Sequence, residues 1–198
     1  ILRDTQTAEV WSAGAAPLSH RQTCAAVFSE HQATLTACTA SLATTTEIVV
    51  SAEDDAEARR VTLTNTGRRP RVIEVTSYVE LALAPQAADL AHPAFSKMFV
   101  VTDYMPELGV LIATRRTRAA AEPEVWAAHI AVVEGSEAAP MQHETDRARF
   151  VGRGRSLADP AMLAAPLSGT TGTVLDPIFA IRRCLTIPPG ASARVTFW

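Results

Sequence analysis

Aromatic residues and cysteines are scarce in this sequence. Phe, Trp and Tyr make up only 6% of the 198 residues, so few side chains can stack on a ligand, and any binding by the chain alone should be weak. The three cysteines, Cys24, Cys38 and Cys184, lack CxxC or metal-ligand spacing, which favours reduced, buried thiols. We expect neither a bound metal nor a cofactor.

Positive charge and long apolar runs are also limited. The formal net charge of −3 and a pI near 6.0 argue against a nucleic-acid partner. Only one of the 18 basic residues is a lysine, Lys97; such a bias arises from genome composition as readily as from ligand binding. No apolar run is long enough for a signal peptide or a membrane span, so we expect no direct membrane insertion.

Common catalytic motifs are absent as well. The sequence contains no GxSxG, HExxH or P-loop pattern. The short GxG at Gly152 and Gly154 neither follows a hydrophobic strand nor opens a full helix, so it does not predict a dinucleotide site. The acidic stretch Ser51 to Asp55 lacks the spacing of a calcium loop and is typical of a solvated turn.

Two acid and histidine pairs remain as an enzymatic alternative. They are Asp89 with His92, and His143 with Glu144. A sugar epimerase would need an acid and a base facing one another across a pocket. Sequence adjacency does not supply this arrangement, because neighbours on a strand point to opposite faces.

The sequence is rich in alternation with a period of two. The stretch EARRVTLTNTGRRPRVIEVTSYVELAL, from Glu57 to Leu83, contains two alternating runs around Thr66 to Pro70. Gly67 tolerates positive φ, and Pro70 cannot donate to a strand ladder. The pattern therefore predicts a long antiparallel hairpin.

Similar alternation recurs along the chain and predicts about eleven short strands with frequent turns. The exceptions are an alanine-rich loop from Ala84 to Pro93, a helical turn within Gln142 to Phe150 and another after Pro160. A strand is expected from Phe95 to Thr102, and a closing hairpin from Ile178 to Trp198. The fold class is all-β, a large antiparallel β-sandwich with only short helical turns, formed as a single domain over residues 1–198. The start at Ile1 suggests a piece of a larger multidomain protein.

Two aromatic residues, Trp126 and Tyr104, are expected in opposite environments. Trp126 lies in the apolar run VWAAHIAVVE and is expected to pack in the core, whereas His129 on the other face is expected to be a hydrogen-bonded structural residue. Tyr104 follows a strand beside a proline, so we expect it in a surface loop, where it could stack on a ligand.

Four stretches carry a family resemblance that extends over nearly the whole chain. They are TEIVVSAEDDAEARRVTLTNTGRRPRVIEVTSYVELALAP, ADLAHPAFSKMFV, HETDRARFVGRGR and LSGTTGTVLDPIFAIRRCLTIPPGASARVTFW. Together they resemble the β-sandwich of cyclic β-1,2-glucan synthases. They are also similar, more distantly, to the N-terminal domain of cellobiose and chitobiose phosphorylases in glycoside hydrolase family 94.

This resemblance implies a galactose-mutarotase-like supersandwich beside an (α/α)6 barrel of the same chain that carries the catalytic groups. It therefore implies a noncatalytic, carbohydrate-associated scaffold domain on the cytoplasmic side of an inner-membrane protein, with β-glucan as a further partner. Two alternatives stay open: a free-standing mutarotase-like enzyme, and a pure spacer between domains.

The family-like motifs also select candidate site residues. Those in irregular segments could dock the barrel or edge its sugar site, or else only tie loops to the sandwich. They are Asp89, His92, Phe95, Arg147, Phe150 and Arg153, with Tyr104 as the candidate for sugar stacking; no residue is assigned a catalytic role.

Overall fold

The computed structural model describes residues 1–18, 23–39, 41–120, 122–136 and 139–198. Within these residues the chain forms fourteen strands and three short helices. Strands dominate because β-branched residues and short polar turns recur throughout, whereas apolar residues at helical spacing do not.

The strands are β1 (Leu2–Asp4), β2 (Val10–Trp11), β3 (Thr23–Phe28), β4 (Ala33–Cys38), β5 (Leu42–Val50), β6 (Glu57–Asn65), β7 (Arg71–Thr76), β8 (Val79–Glu80), β9 (Val100–Met105), β10 (Val110–Arg115), β11 (Trp126–Glu134), β12 (Gln142–Asp146), β13 (Pro177–Ile187) and β14 (Ser192–Phe197). The helices are α1 (Gln86–Ala91), α2 (Pro93–Lys97) and α3 (Arg147–Val151), and a single 3-10 turn spans Ala161–Leu163.

Hydrogen bonding sorts the strands into two antiparallel sheets. The larger has the order β3-β4-β5-β6-β14-β11-β10-β9. The smaller has the order β12-β13-β7-β1-β2, with β8 paired to β13. The prediction of an all-β antiparallel sandwich is confirmed.

The chain divides into two compact units. The first contains residues 1–76, 131–141 and 182–198, and the second contains residues 77–130 and 142–181. The strands β11 and β13 each run from one unit into the other.

The core of the first unit is built by alternating strands. Leu42, Thr44 and Thr46 of β5 are buried, while the residues between them are only partly covered. At the end of β6, Asn65 is fully buried, and its side-chain amide donates to the backbone carbonyl of Ile187 at 2.9 Å. A buried amide needs such partners, so this contact fixes the end of the strand against β13.

The core of the second unit contains the first half of β13 and the strands β9 and β10. Ile178, Phe179, Ala180 and Ile181 are all buried, as expected for a strand covered on both faces. On β11, His129 is buried, contacts Ser77 Oγ through Nε2 at 2.8 Å and stacks on Phe179. The predicted structural role of His129 agrees with these contacts.

The predicted hairpin from Glu57 to Leu83 is wrong. β6 pairs with β5 and β14, whereas β7 pairs with β1 and β13, so the connection from Thr66 to Pro70 links different sheets. The expected closing hairpin is wrong for the same reason, because β13 and β14 also lie in different sheets. Alternation reveals a strand with one buried face but does not identify its hydrogen-bonding neighbour.

Some local predictions also differ from the structure. Phe95 lies in helix α2 and not in a strand, because Pro93 occupies the first helical position and starts a helical turn. Tyr104 lies within β9 and not in a loop. Trp126 is 60% exposed, since β11 buries the opposite face, which carries His129.

The cysteine prediction is only partly confirmed. Cys38 and Cys184 are free thiols, but Cys38 is exposed and Cys184 is half-buried. The side chain of Cys24 lies outside the described part of the structure.

Candidate partner-docking site

The helices α1 and α2 form a short arm on the second unit. His92 separates them with φ −147° and ψ 72°, because a residue before proline is disfavoured in the helical region. Only Ser96 of the two helices is buried. Leu90 is 75% exposed and Phe95 is 51% exposed, so the arm presents apolar side chains on its surface.

Asp89 and His92 do not form an acid and base pair. The two side chains share no hydrogen bond or ion pair among the described contacts, and His92 is exposed. Asp89 Oδ1 is shielded from solvent and has no hydrogen-bond partner in the described structure. A carboxylate oxygen in this situation is costly unless a further donor reaches it.

A polar network holds the arm against helix α3. Arg147 Nε lies 3.0 Å from Glu80 Oε1 and 3.1 Å from Tyr78 Oη. The Tyr78 hydroxyl donates to Glu80 Oε1 at 2.7 Å. Asp176 joins the network because its carboxylate lies 3.6 Å from Arg147 Nη1 and 2.7 Å from Lys97 Nζ. Lys97 belongs to α2, so the network connects α2, β8 and α3.

The network shifts the titration of its members. Burial, together with the bond to Glu80, raises the pKa of Tyr78 above its usual value. The hydroxyl of Tyr78 and then the guanidinium of Arg147 lower the pKa of Glu80. The bond to Glu80 in turn raises the pKa of Arg147. Near neutral pH the network therefore holds a carboxylate, a neutral phenol and a guanidinium.

Phe150 lies beneath this network. It is fully buried and packs on the Tyr78 ring with centroids 5.2 Å apart. A partner cannot touch a fully buried ring without local rearrangement, so Phe150 supports the site from below.

Arg153 follows helix α3 after Gly152, and its side chain is exposed. The carboxylate of Asp146 caps the helix by accepting from Ala148 N at 2.8 Å. Gly152 ends the helix with φ 84° and ψ 156°, a conformation essentially restricted to glycine. Arg153 is exposed and makes no hydrogen bond or ion pair among the described residues, unlike Arg147.

Tyr104 is already partly covered. Its ring lies 4.2 Å from that of His143, centroid to centroid. Burial lowers the pKa of His143, so its ring is mostly neutral near pH 7. One ring face of Tyr104 is therefore occupied by a histidine.

Glu144, the sequence neighbour of His143, is bound as a structural residue. It is fully buried, and Glu144 Oε1 accepts from the backbone N–H groups of Thr145 and Asp146. Glu144 Oε2 accepts from the Ser168 hydroxyl. With both oxygens engaged, Glu144 is poorly placed to exchange protons with a substrate.

Neither a metal centre nor a membrane span is found in the described ranges. No group of three or more His, Cys, Asp or Glu side chains there could hold a metal ion. No described helix has both the length and the apolar character that crossing a membrane requires.

Sequence reasoning missed four members of the site. These are Tyr78, Glu80, Lys97 and Asp176. Tyr78 directly precedes β8 and Glu80 lies on it, two residues further along. In extended backbone, side chains two residues apart point to the same side, which was the available signal. Lys97 and Asp176 are 79 residues apart, and nothing in the sequence connects them.

The two antiparallel sheets, joined by only three short helices among the described residues, define an all-β sandwich domain. A family model described as the glycosyl hydrolase 94 supersandwich domain matches residues 1–198. The chain therefore belongs to the glycosyl hydrolase 94 supersandwich family, which confirms the resemblance drawn from the motifs.

Two relatives match the full length of the chain. The cyclic beta-(1,2)-glucan synthase NdvB of Rhizobium meliloti (strain 1021) is 41% identical over 201 residues, which cover 100% of this chain and 7% of that protein. The solabiose phosphorylase of Paenibacillus borealis is 26% identical over 205 residues, which cover 100% of this chain and 25% of that protein. The chain thus spans a small part of the length of these relatives.

Proposed function

We propose that residues 1–198 form one noncatalytic domain of a cyclic β-1,2-glucan synthase and that this domain docks a neighbouring (α/α)6 barrel of the same protein. The 41% identity to NdvB supports the choice of parent. The family resemblance assigns catalysis to the barrel, so this domain acts as a scaffold. In this proposal the domain lies on the cytoplasmic side of an inner-membrane protein.

The observation that carries the proposal is the apolar surface of the arm. Leu90 of α1, Phe95 of α2 and Met98 just after α2 are each about half exposed or more, and the network around Arg147 holds α2 through Lys97. Exposed apolar groups on a fixed support are typical of an interaction site.

The candidate residues take different roles in this proposal. His92, Phe95 and Arg153 are accessible and contact the partner directly. Arg147 and Phe150 act indirectly by fixing the arm and α3. Tyr104 offers its remaining surface to a β-glucan chain that leaves the barrel.

The enzymatic alternative has less support. An epimerase or mutarotase needs an acid and a base that converge on one substrate position. Glu144 has both carboxylate oxygens occupied by protein donors, and the side chains of Asp89 and His92 are not joined. These contacts favour a supporting domain over a free-standing enzyme.

The test uses the full-length protein with Leu90→Arg. The side chain of Leu90 is mostly exposed, so the substitution should leave the domain folded. A charge within a docked apolar surface should weaken docking. We expect less glucan synthesis or a changed distribution of glucan lengths. Leu108→Arg is the matched control, because Leu108 is 63% exposed on a turn of the same unit and outside the arm. Equal behaviour of Leu90→Arg and wild type would refute docking through the arm.

A second measurement separates sugar contact from docking alone. Calorimetric titration of the folded domain with β-1,2-glucan oligosaccharides should give weak heats that Tyr104→Ala removes. The absence of heat at millimolar ligand would remove the sugar contact from the proposal and favour a spacer that only joins domains.

A further inference from the structure

One face of the larger sheet is buried at one end of the first unit. Strand register places Ala37 of β4, Thr44 of β5 and Leu63 of β6 in one row. All three are nearly or fully buried. Two residues further along, Thr46 and Val61 pair in the same way and are also buried. These rows form the inner face of the sheet.

On β3, β4 and β5 the same face continues as apolar but becomes more exposed, whereas β6 contributes the charged residues Arg59 and Glu57 to these rows. The next row contains Phe28, Ala33 and Ile48, and Val50 follows Ile48 on the same side of β5. Phe28 is 76% exposed and Val50 is 65% exposed. We name Phe28, Ala33, Ile48 and Val50 the apolar strip.

The two ends of this face differ in exposure. At the end where β6 reaches Asn65, Leu42 and Asn65 pair and are both buried. The side-chain amide of Asn65 donates there to the carbonyl of Ile187 on β13. At the opposite end, Phe28 and Val50 are exposed. Among the described residues of β3, β4 and β5, the face is therefore covered at one end and accessible at the other.

The end of the strip is acidic. The turn after Val50 carries Glu53, Asp54 and Asp55, all exposed. Arg59, in the same row as Ile48, forms an ion pair with Glu57. Arg59 is thus engaged with Glu57, and the carboxylates of Glu53, Asp54 and Asp55 form no ion pair with a described residue. The surface therefore combines the apolar strip with a negatively charged turn at one end.

We propose that the apolar strip binds a basic amphipathic helix from another part of the full-length protein. The strip crosses three strands, which spans about 10 Å, close to the diameter of a single helix. An apolar helix face would cover Phe28 and Val50, and Lys or Arg side chains would meet the acidic turn. A second copy of this domain would bring two acidic turns together, which disfavours self-association.

The relatives are consistent with such a partner inside the same protein. The segment that matches this chain covers only 7% of NdvB and 25% of the solabiose phosphorylase. Most of each relative therefore lies outside the matching segment. The strip lies in the first unit, whereas the arm lies in the second. The inference is therefore independent of docking through the arm, and each can fail without the other.

Photo-crosslinking in the full-length protein tests the inference. A benzophenone amino acid replaces Phe28 or Val50, both of which are exposed enough to tolerate it, and Leu108 serves as the control position. After irradiation and digestion, we expect positions 28 and 50 to crosslink several times more than position 108. The captured peptide should lie outside this domain and carry apolar residues at helical spacing with Lys or Arg beside them.

Other outcomes would overturn the inference. They are crosslinking no stronger than at position 108, capture of a second copy detected by mixing isotope-labelled and unlabelled protein, or capture of a peptide without basic residues. A charge-reversal variant, Asp54→Lys with Asp55→Lys, should lower the crosslinking yield at Val50. An unchanged yield in this folded variant would exclude the ionic part of the inference.

Discussion

Arg147 and Glu80 are 67 residues apart in sequence but form an ion pair with Nε 3.0 Å from Oε1. The pair joins helix α3 to strand β8, and the hydroxyl of Tyr78 completes it. Both side chains are partly exposed, so water weakens the attraction between the charges. Its main effect is to fix the position of surface helices in the second unit.

Arg147→Ala should destabilise the domain by about 1 to 2 kcal/mol, because Glu80, Tyr78 and Asp176 each lose a partner at a partly exposed site. Urea unfolding of the domain measures this loss. Arg153→Ala is the matched control and should leave the free energy of unfolding unchanged, since Arg153 is exposed and unpaired in the described contacts. Equal stability of the two variants would mean that the network contributes nothing.

In the full-length protein, Arg147→Ala and Arg153→Ala distinguish a loss of domain stability from a loss of contact with a partner. A loss of activity in Arg147→Ala could follow from weakened packing. A loss in Arg153→Ala, with unchanged stability, would reflect a lost contact to a partner.

Gly152→Ala should cost at least about 2 kcal/mol of stability, because its backbone conformation is strained for any residue with a Cβ. An added Cβ would also lie 2.7 Å from Ala161 Cβ. Gly154→Ala is the control: Gly154 also has positive φ, but no atom lies within 4 Å of the added Cβ. It should lose only about 1 kcal/mol. Thermal and urea unfolding will rank the two variants, and a larger loss at Gly154 would contradict the assigned contact.

Asp4→Asn should destabilise the first unit in a pH-dependent way. Asp4 is fully buried and Asp4 Oδ2 lies 2.5 Å from Arg71 Nε. Burial raises the pKa of Asp4, but donors from Gln6, Thr7 and Arg71 outweigh it and hold the pKa below its usual 3.8. At neutral pH the substitution should cost about 2 kcal/mol, since a hydrogen bond to a charged group is lost.

The direction of the pH effect follows from this lowered pKa. The folded state binds the Asp4 proton less tightly than the unfolded state, so the carboxylate stabilises the fold above the unfolded pKa of 3.8. That contribution is lost as the pH falls through the lower pKa of the folded state. The stability difference between wild type and Asp4→Asn should therefore shrink below about pH 4. Asp54→Asn, at an exposed turn, is the control for the removal of one charge.

Alternation in the sequence was sufficient to predict strands, because one buried face requires a period of two. It located most strands of the larger sheet and the all-β class. It could not pair them: β6 and β7 are adjacent in sequence and each alternates, yet they lie in different sheets. Alternation also placed Trp126 and His129 correctly on opposite faces of β11. It predicted that the face with Trp126 is buried, whereas the structure buries the face with His129. The burial of His129 involves a hydrogen bond to Ser77, 52 residues away in sequence.

The candidate site shows the same limit. The sequence predicted a helical turn within Gln142 to Phe150, where α3 begins, and it selected Arg153 as a candidate site residue. The sequence could not reveal that Arg147 meets Glu80 and Asp176, because those contacts arise only when distant strands and loops are brought together. Phe150 was selected as a candidate site residue, but the sequence did not reveal that its side chain is buried.

The division of the chain into two units constrains how this domain can be inherited. The chain passes between the units four times, and two of these passages fall inside β11 and β13. No single stretch of gene encodes either unit, and a break within β11 or β13 would leave unpaired backbone groups in both units. Gene duplication or exchange can therefore move this domain only as a whole.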